Sequence, residues 1–201
     1  MSPQPSKGSL SPTWKRISRR IRVPLGFLFV IFYFWLARPV PQSLLLSLIL
    51  VAPGLLLRGY ASGYVKKNAE LTVTGPYAYT RNPLYLGSIL IAFGFALAAR
   101  SIWIAVALTV LFLAIYGPVI LGEEEFLRQQ FSGYEAYAKR VPRLLPRLRV
   151  QKGRLRLQKE RRGGEFSLEL YRHHREYNSL LGTFCIYLVL IARILFWRWS
   201  P

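Results

Sequence analysis

The apolar and basic residues of this chain are sorted into separate blocks, and that sorting restricts its fold more than any other feature. Of 201 residues 52% are hydrophobic, yet the formal net charge is +19. A soluble nucleic-acid binder of that charge would spread its lysines and arginines among other polar residues. Here long uncharged runs alternate with short basic segments, the arrangement of a membrane protein with charged loops. The chain therefore reads as all-α, a multi-spanning integral membrane protein with about five helices.

Residues 1–22 carry six Lys/Arg, no acid and several Ser and Pro, and read as a disordered basic arm. The first apolar block runs from Val23 to about Val40; its bulky aromatic run lacks the small-residue cleavage site of a signal peptide, so it reads as a retained helix. Arg38-Pro-Val-Pro41 makes a break. The second block is Ser43–Leu57, with a kink expected at Pro53-Gly54. Leu84–Ala99 is the third and Ile102–Leu121 the fourth, joined by the short turn Arg100-Ser101. A fifth, Leu180–Trp197, is interrupted by Arg193, which is expected to snorkel to the far interface. The division is thus an arm (1–22), a membrane core (23–148, spans 23–40, 43–57, 84–99 and 102–121), a basic segment (149–178), and a fifth helix with its tail (179–201). Several blocks fall short of the ~20 residues that a perpendicular span needs.

Charge asymmetry orients these blocks. If the arm, the 58–83 connection and the 122–178 segment share one side, they hold 24 of the 28 Lys/Arg. The positive-inside rule then places the N-terminus and both long polar segments in the cytoplasm.

The acids narrow the chemistry. All nine are glutamate, so aspartate-based magnesium sites, aspartyl proteases and kinase-type metal aspartates are excluded. One cysteine, Cys185, permits neither an internal disulfide nor a CxxC site. His173 and His174 are the only histidines and cannot build a multi-His cage, so no metal site is expected.

Two polar segments carry the functional signal. In the first, Thr74-Gly-Pro-Tyr-Ala-Tyr-Thr-Arg-Asn-Pro-Leu-Tyr-Leu-Gly87, Gly75-Pro76 marks a turn and Asn82-Pro83 a helix start with Asn82 as its cap. Free N–H groups and the positive dipole end favour an anion there, and Arg81 strengthens the site for a carboxylate. Tyr77, Tyr79 and Tyr85 add hydroxyls and ring faces at the membrane boundary; lipid phosphate on Arg81 and an interfacial aromatic belt are the competing use of the same residues. The second segment begins Glu123-Glu124-Glu125 and continues to Pro146. Phe126, Leu127, Phe131, Tyr134, Tyr137 and Val141 recur at mostly three- and four-residue steps, an amphipathic pattern with a break expected at Ser132-Gly133. Glu124 and Arg128 have the spacing of a helical ion pair. Three carboxylates at a bilayer edge are costly unless solvated, paired or used to hold a cationic or hydroxyl-bearing ligand.

Together the two segments resemble the isoprenylcysteine carboxyl methyltransferase family, integral membrane enzymes related to the phospholipid methyltransferases. The resemblance rests on Gly75–Gly87, on Glu123, Glu124, Leu127, Tyr134 and Tyr137, and on Val141-Pro-Arg-Leu-Leu-Pro146, and covers roughly residues 55–148. The family's first motif commonly reads Arg-His-Pro-x-Tyr-x-Gly; this chain has Asn82 in the histidine position, which can donate a hydrogen bond but cannot titrate near neutrality. The resemblance implies S-adenosylmethionine as methyl donor, bound at the cytoplasmic face, and a lipophilic or lipidated acceptor arriving laterally from membrane lipid. It carries cofactor binding onto Tyr77, Arg81, Asn82, Tyr85, Gly87 and Glu123, and catalytic duty onto Glu124 and Arg143.

A carboxylate acceptor is already nucleophilic at pH 7, whereas an amine must first lose a proton. With asparagine at position 82 and no aspartate, carboxyl O-methylation of the isoprenylcysteine type is favoured over phospholipid N-methylation. A rival of another class is a non-catalytic protein docking on anionic lipid or nucleic acid through residues 139–162, which hold eleven Lys/Arg and one acid. The blockwise charge makes nucleic acid an unexpected partner.

Overall fold

The computed structural model describes residues 26–65, 70–146 and 166–199; the basic arm and most of the 149–178 segment lie outside them. Among the described residues every regular element is helical. Three helices are long and apolar enough to cross a membrane: α2 (Pro41–Ser62), α4 (Ile102–Gln130) and α7 (Tyr177–Trp199). Two shorter apolar helices join them, α1 (Gly26–Leu36) and α3 (Pro83–Ala99). Two small helices, α5 (Tyr134–Arg140) and α6 (Leu168–His173), complete the chain.

Several boundaries differ from those read off the sequence, each for a physical reason. Pro53 lies inside α2 without ending it, so the helix continues through Arg58 to Ser62, and Arg58 belongs to a helix rather than to the connection that follows. α4 runs past Leu121 and carries all three consecutive glutamates on its last two turns. At about 1.5 Å per residue it is roughly 44 Å long, more than the hydrocarbon layer requires, so its polar end projects beyond that layer. Within it, the Gly117 N–H donates to the Phe112 carbonyl, five residues back, giving a π turn over Phe112–Tyr116. Pro118 accounts for this widening: it lacks an N–H and its ring displaces the carbonyl four residues earlier.

The closest packing is between α2 and α3. A Cβ placed on Gly54 would lie 2.8 Å from the Gly87 carbonyl oxygen and 2.9 Å from Ile91 Cγ1. On Gly87 it would meet the Gly54 carbonyl at 2.8 Å. Paired glycines thus bring the two backbones together, as small residues do between membrane helices. Residues of α1, α2, α3, α4 and α7 form the apolar core at the opposite end of these helices: Tyr33, Ala37, Leu44, Phe95, Ala99, Ile104 and Leu190 are all buried. The two short breaks meet there, where the Arg38 N–H donates to the Ala99 carbonyl (3.0 Å) and the Ser43 hydroxyl to Ala98 (2.9 Å). The Arg193 guanidinium donates to the Phe34 carbonyl near the end of α1.

Gly54→Ala should lower stability by about 1–3 kcal/mol, the usual cost of overpacking. Thermal unfolding of the purified protein in detergent measures this; an unchanged midpoint would contradict the close approach of α2 and α3.

Candidate functional site

Two stretches of chain about sixty residues apart are clasped side by side at the polar end. The turn Gly75–Ala78, with Gly75 at φ 56°, redirects the chain after α2 and leads into Thr80–Asn82 just before α3. Across from it lies Pro142–Leu144, which follows α5. The Arg81 N–H donates to the Pro142 carbonyl (2.9 Å), the Thr80 hydroxyl to Leu144 (2.9 Å) and the Asn82 side-chain amide to Arg143 (3.0 Å). The Tyr137 hydroxyl donates to the Tyr77 carbonyl (2.7 Å). Asn82 therefore occupies the cap position of α3, but its side chain does not cap: it is spent on the clasp, while its backbone carbonyl accepts from Leu86.

The clasp aligns three charges. Glu124, only 5% exposed, accepts a forked pair of bonds from Arg143 Nε (3.0 Å) and Nη2 (2.9 Å). Arg81 Nη1 approaches the same carboxylate at 3.2 Å and donates to the Tyr134 hydroxyl at 3.2 Å. Two guanidiniums thus share one carboxylate. Arg81 is almost covered, and its Nε is buried with no hydrogen-bond partner. The Glu124–Arg128 pair expected from helical spacing is absent: Arg128 binds Glu125 (3.0 Å) and Glu135, both on the exposed side of the break between α4 and α5. Glu124 turns inward because two arginines on other segments reach it there, whereas Arg128 lies on the wet face.

A second cluster adjoins the first, since Glu123 precedes Glu124 on α4. The Tyr85 hydroxyl donates to Glu123 (3.0 Å), and the Tyr85 ring meets Tyr116 edge-on at 5.6 Å, where the π turn has placed it. Arg58 reaches across from α2, donating to Ser88 and the Leu84 carbonyl on α3 and pairing with Glu176 at 2.9 Å from both Oε atoms. Tyr77 is 8% exposed. Burial raises the pKa of its hydroxyl, and the carboxylates of Glu123 and Glu176 raise it further, so it stays protonated. Burial likewise raises that of Tyr134, against the lowering pull of the Arg81 hydrogen bond.

Of the residues singled out in the sequence, Arg81, Asn82, Glu124 and Arg143 come together in the first cluster, and Tyr85 and Glu123 in the second, while the Tyr77 carbonyl accepts from Tyr137 in the clasp. Gly87 is different: it lies at the α2–α3 contact, against Gly54 and the Arg58 stem. Sequence reasoning missed Thr80, whose hydroxyl holds the clasp, and the Arg58–Glu176 pair, which joins residues 118 positions apart. Neither has a local pattern that could announce it. Among the described residues, no three His, Cys, Asp or Glu side chains group as metal ligands.

Residues 22–133, from the start of α1 through the Glu123–Glu124 face of α4, match the phospholipid methyltransferase family. The chain belongs to that family. Both the Arg81–Gly87 and Glu123–Glu124 segments fall inside the family match. Arg143 and Glu176 lie beyond it. Among curated proteins, it is similar to the nickel-cobalt-cadmium resistance protein NccN of Alcaligenes xylosoxydans xylosoxydans, 37% identical over 44% of this chain and 41% of that protein. It is also similar to the cobalt-zinc-cadmium resistance protein CzcN of Cupriavidus metallidurans, 35% identical over 47% of this chain and 43% of that protein. The chain thus spans about two-fifths of the length of these relatives. No solved structure matches it.

Glu124→Gln should destabilise the protein by about 3 kcal/mol, because Arg81 would stay buried without its counter-ion. Arg143→Ala should cost about 1 kcal/mol, since that side chain is half exposed. Chemical denaturation of the two variants in detergent checks the ordering.

Proposed function

We propose that this protein is a methyltransferase that uses S-adenosylmethionine to methylate a lipophilic acceptor at the cytoplasmic face of the bilayer. The observation that carries the reading is the Arg81–Glu124–Arg143 cluster, in which two motifs far apart in sequence become one polar site at the start of α3.

The residues fit such a donor. Two guanidiniums facing one carboxylate leave cationic capacity for a second, and the partnerless buried Nε of Arg81 is a donor awaiting an acceptor. Glu123, oriented by Tyr85, suits an ammonium group or ribose hydroxyls. S-adenosylmethionine, when bound, supplies a methyl group on a sulfonium already activated for in-line displacement. The chain's own contribution is then alignment and exclusion of water. Arg81 and Arg143 hold a carboxylate, Glu124 keeps both guanidiniums in register, and Asn82 fixes the Arg143 backbone without taking part in proton transfer. Tyr85, which holds Glu123, packs its ring edge-on against Tyr116.

For the acceptor, a carboxyl group of the isoprenylcysteine type is the first reading. It needs no base, and Asn82 provides none. N-methylation of a phospholipid amine is the second, supported by the family's own description and by Glu123, the carboxylate nearest the Tyr85 face.

Calorimetric titration with S-adenosylhomocysteine tests the site: the wild-type protein should bind, and Arg81→Ala or Glu124→Ala should weaken binding by about tenfold or more. Unchanged affinity in both variants would sink the assignment. Mass spectrometry of membrane extracts incubated with deuterated-methyl donor, with and without the protein, then separates carboxyl from amine acceptors.

A further inference from the structure

A groove lies between α2, α3 and α4 at the apolar end of the bundle, away from the charged clusters. It has a volume of about 740 Å³ and is walled by Leu46 and Leu50 of α2, Phe93 and Leu97 of α3, and Ile102 of α4. That volume is in the range of pockets that hold small ligands. Among the described residues, Arg100 is the one charged residue that lines it, from the two-residue turn that joins α3 to α4.

Arginine is a costly choice at this position. Its φ of 55° lies in the left-handed region, which glycine adopts freely and a side chain strains to reach. Nor does the guanidinium cap the helix, because the last carbonyls of α3 have other partners. Leu97 accepts from the Arg100 N–H (3.1 Å), Ala98 from the Ser43 hydroxyl (2.9 Å) and Ala99 from the Arg38 N–H (3.0 Å). The Arg100 side chain is exposed and makes no ion pair or hydrogen bond with any described residue. Cations are also scarce at this end of the helices, where the charge asymmetry disfavours them. A strained, unpaired arginine beside an apolar groove calls for a partner from outside the chain.

The chemistry of that partner follows from the lining. Apolar walls suit an acyl chain, and a guanidinium at their edge takes the oxygens of a phosphate through paired bonds. The headgroup should carry no compensating cation. The chain has no aspartate, and no glutamate falls between Glu70 and Glu123 or after Glu176, so the segments that build this end offer no carboxylate to a headgroup ammonium. We propose that the groove holds one anionic glycerophospholipid from the leaflet opposite the Glu123–Glu124 clusters, with an acyl chain between α2 and α3 and its phosphate on Arg100. The lipid braces the turn between α3 and α4, the two helices that carry the charged clusters at their other ends. The proposal is independent of the methyl-transfer reading.

Trp103, exposed on the first turn of α4, is a reporter beside the groove and far from the basic segments at the other end. The test uses the full-length chain with Trp103 as its sole tryptophan, the other four replaced by phenylalanine, in phosphatidylcholine vesicles. Brominated phosphatidylglycerol should quench Trp103 as though favoured about tenfold over brominated phosphatidylcholine, the effect of one charged hydrogen-bond partner. Arg100→Gly should unfold in lipid-free detergent at the same temperature or higher, since glycine suits this backbone, yet make the two lipids equivalent. Arg100→Lys should keep part of the preference. Equal quenching by the two lipids before any change at Arg100 would mean that the groove takes ordinary bilayer lipid, and would overturn the proposal. A preference that survives Arg100→Gly would overturn it as well. Should the four phenylalanine replacements prevent folding, native mass spectrometry of wild type and Arg100→Gly decides the matter: the variant should retain one phosphatidylglycerol fewer, and equal retention would refute the site.

Discussion

The carboxylate of Glu124 is withdrawn from water and shared between two arginines from different parts of the chain, and the polar end of the molecule is organised around it. A lone buried carboxylate would be prohibitive. With Arg81 arriving from just before α3 and Arg143 from just after α5, it becomes instead the point that joins three segments. The backbone clasp between Thr80–Asn82 and Pro142–Leu144 brings the arginines into reach, and the ion pairs in turn hold the clasp closed. Neither half would persist without the other, which is why the site and the local fold cannot be separated here.

The glycine contact between α2 and α3 sets the frame within which that cluster forms. Because the two backbones nearly touch at Gly54 and Gly87, Arg58 on α2 lies beside Leu84 and Ser88 on α3 and can hold Glu176 against the start of that helix. The apolar core, from Tyr33 to Leu190, lies at the other end. α4 adds length: it carries Glu123 and Glu124 past the hydrocarbon layer, and its π turn swings Tyr116 onto Tyr85. The apolar core and the charged clusters thus occupy opposite ends of the same helices.

Most of the first cluster was legible before any coordinates. Arg81, Asn82 and Pro83 announce a helix start with a cation beside it, and three consecutive glutamates at a membrane boundary demand an explanation that paired guanidiniums supply. What misled was local spacing. Glu124 and Arg128 are correctly spaced for a helical pair, yet the buried Glu124 carboxylate has two partners from outside its helix, whose bonds to it are worth more than an exposed pair four residues away. Asn82 reads as a cap by type and position, but its amide serves the Arg143 carbonyl instead. Arg58 and Glu176 gave no sign, because an ion pair bridging 118 residues leaves no trace in either neighbourhood.

By itself the sequence determined the class of structure: uncharged runs must satisfy their own backbone hydrogen bonds in a bilayer, so they are helices, and the basic segments between them mark one side. It determined as well the residue types available for chemistry, with glutamate the only acid and asparagine where the related motif carries histidine. Only the tertiary structure decided which glutamate faces inward, which arginines share it, and that Glu176, from before α7, pairs with Arg58 on α2. Helical periodicity places a side chain on a face. Which face is buried, and against whose charge, depends on partners that the chain supplies from far away.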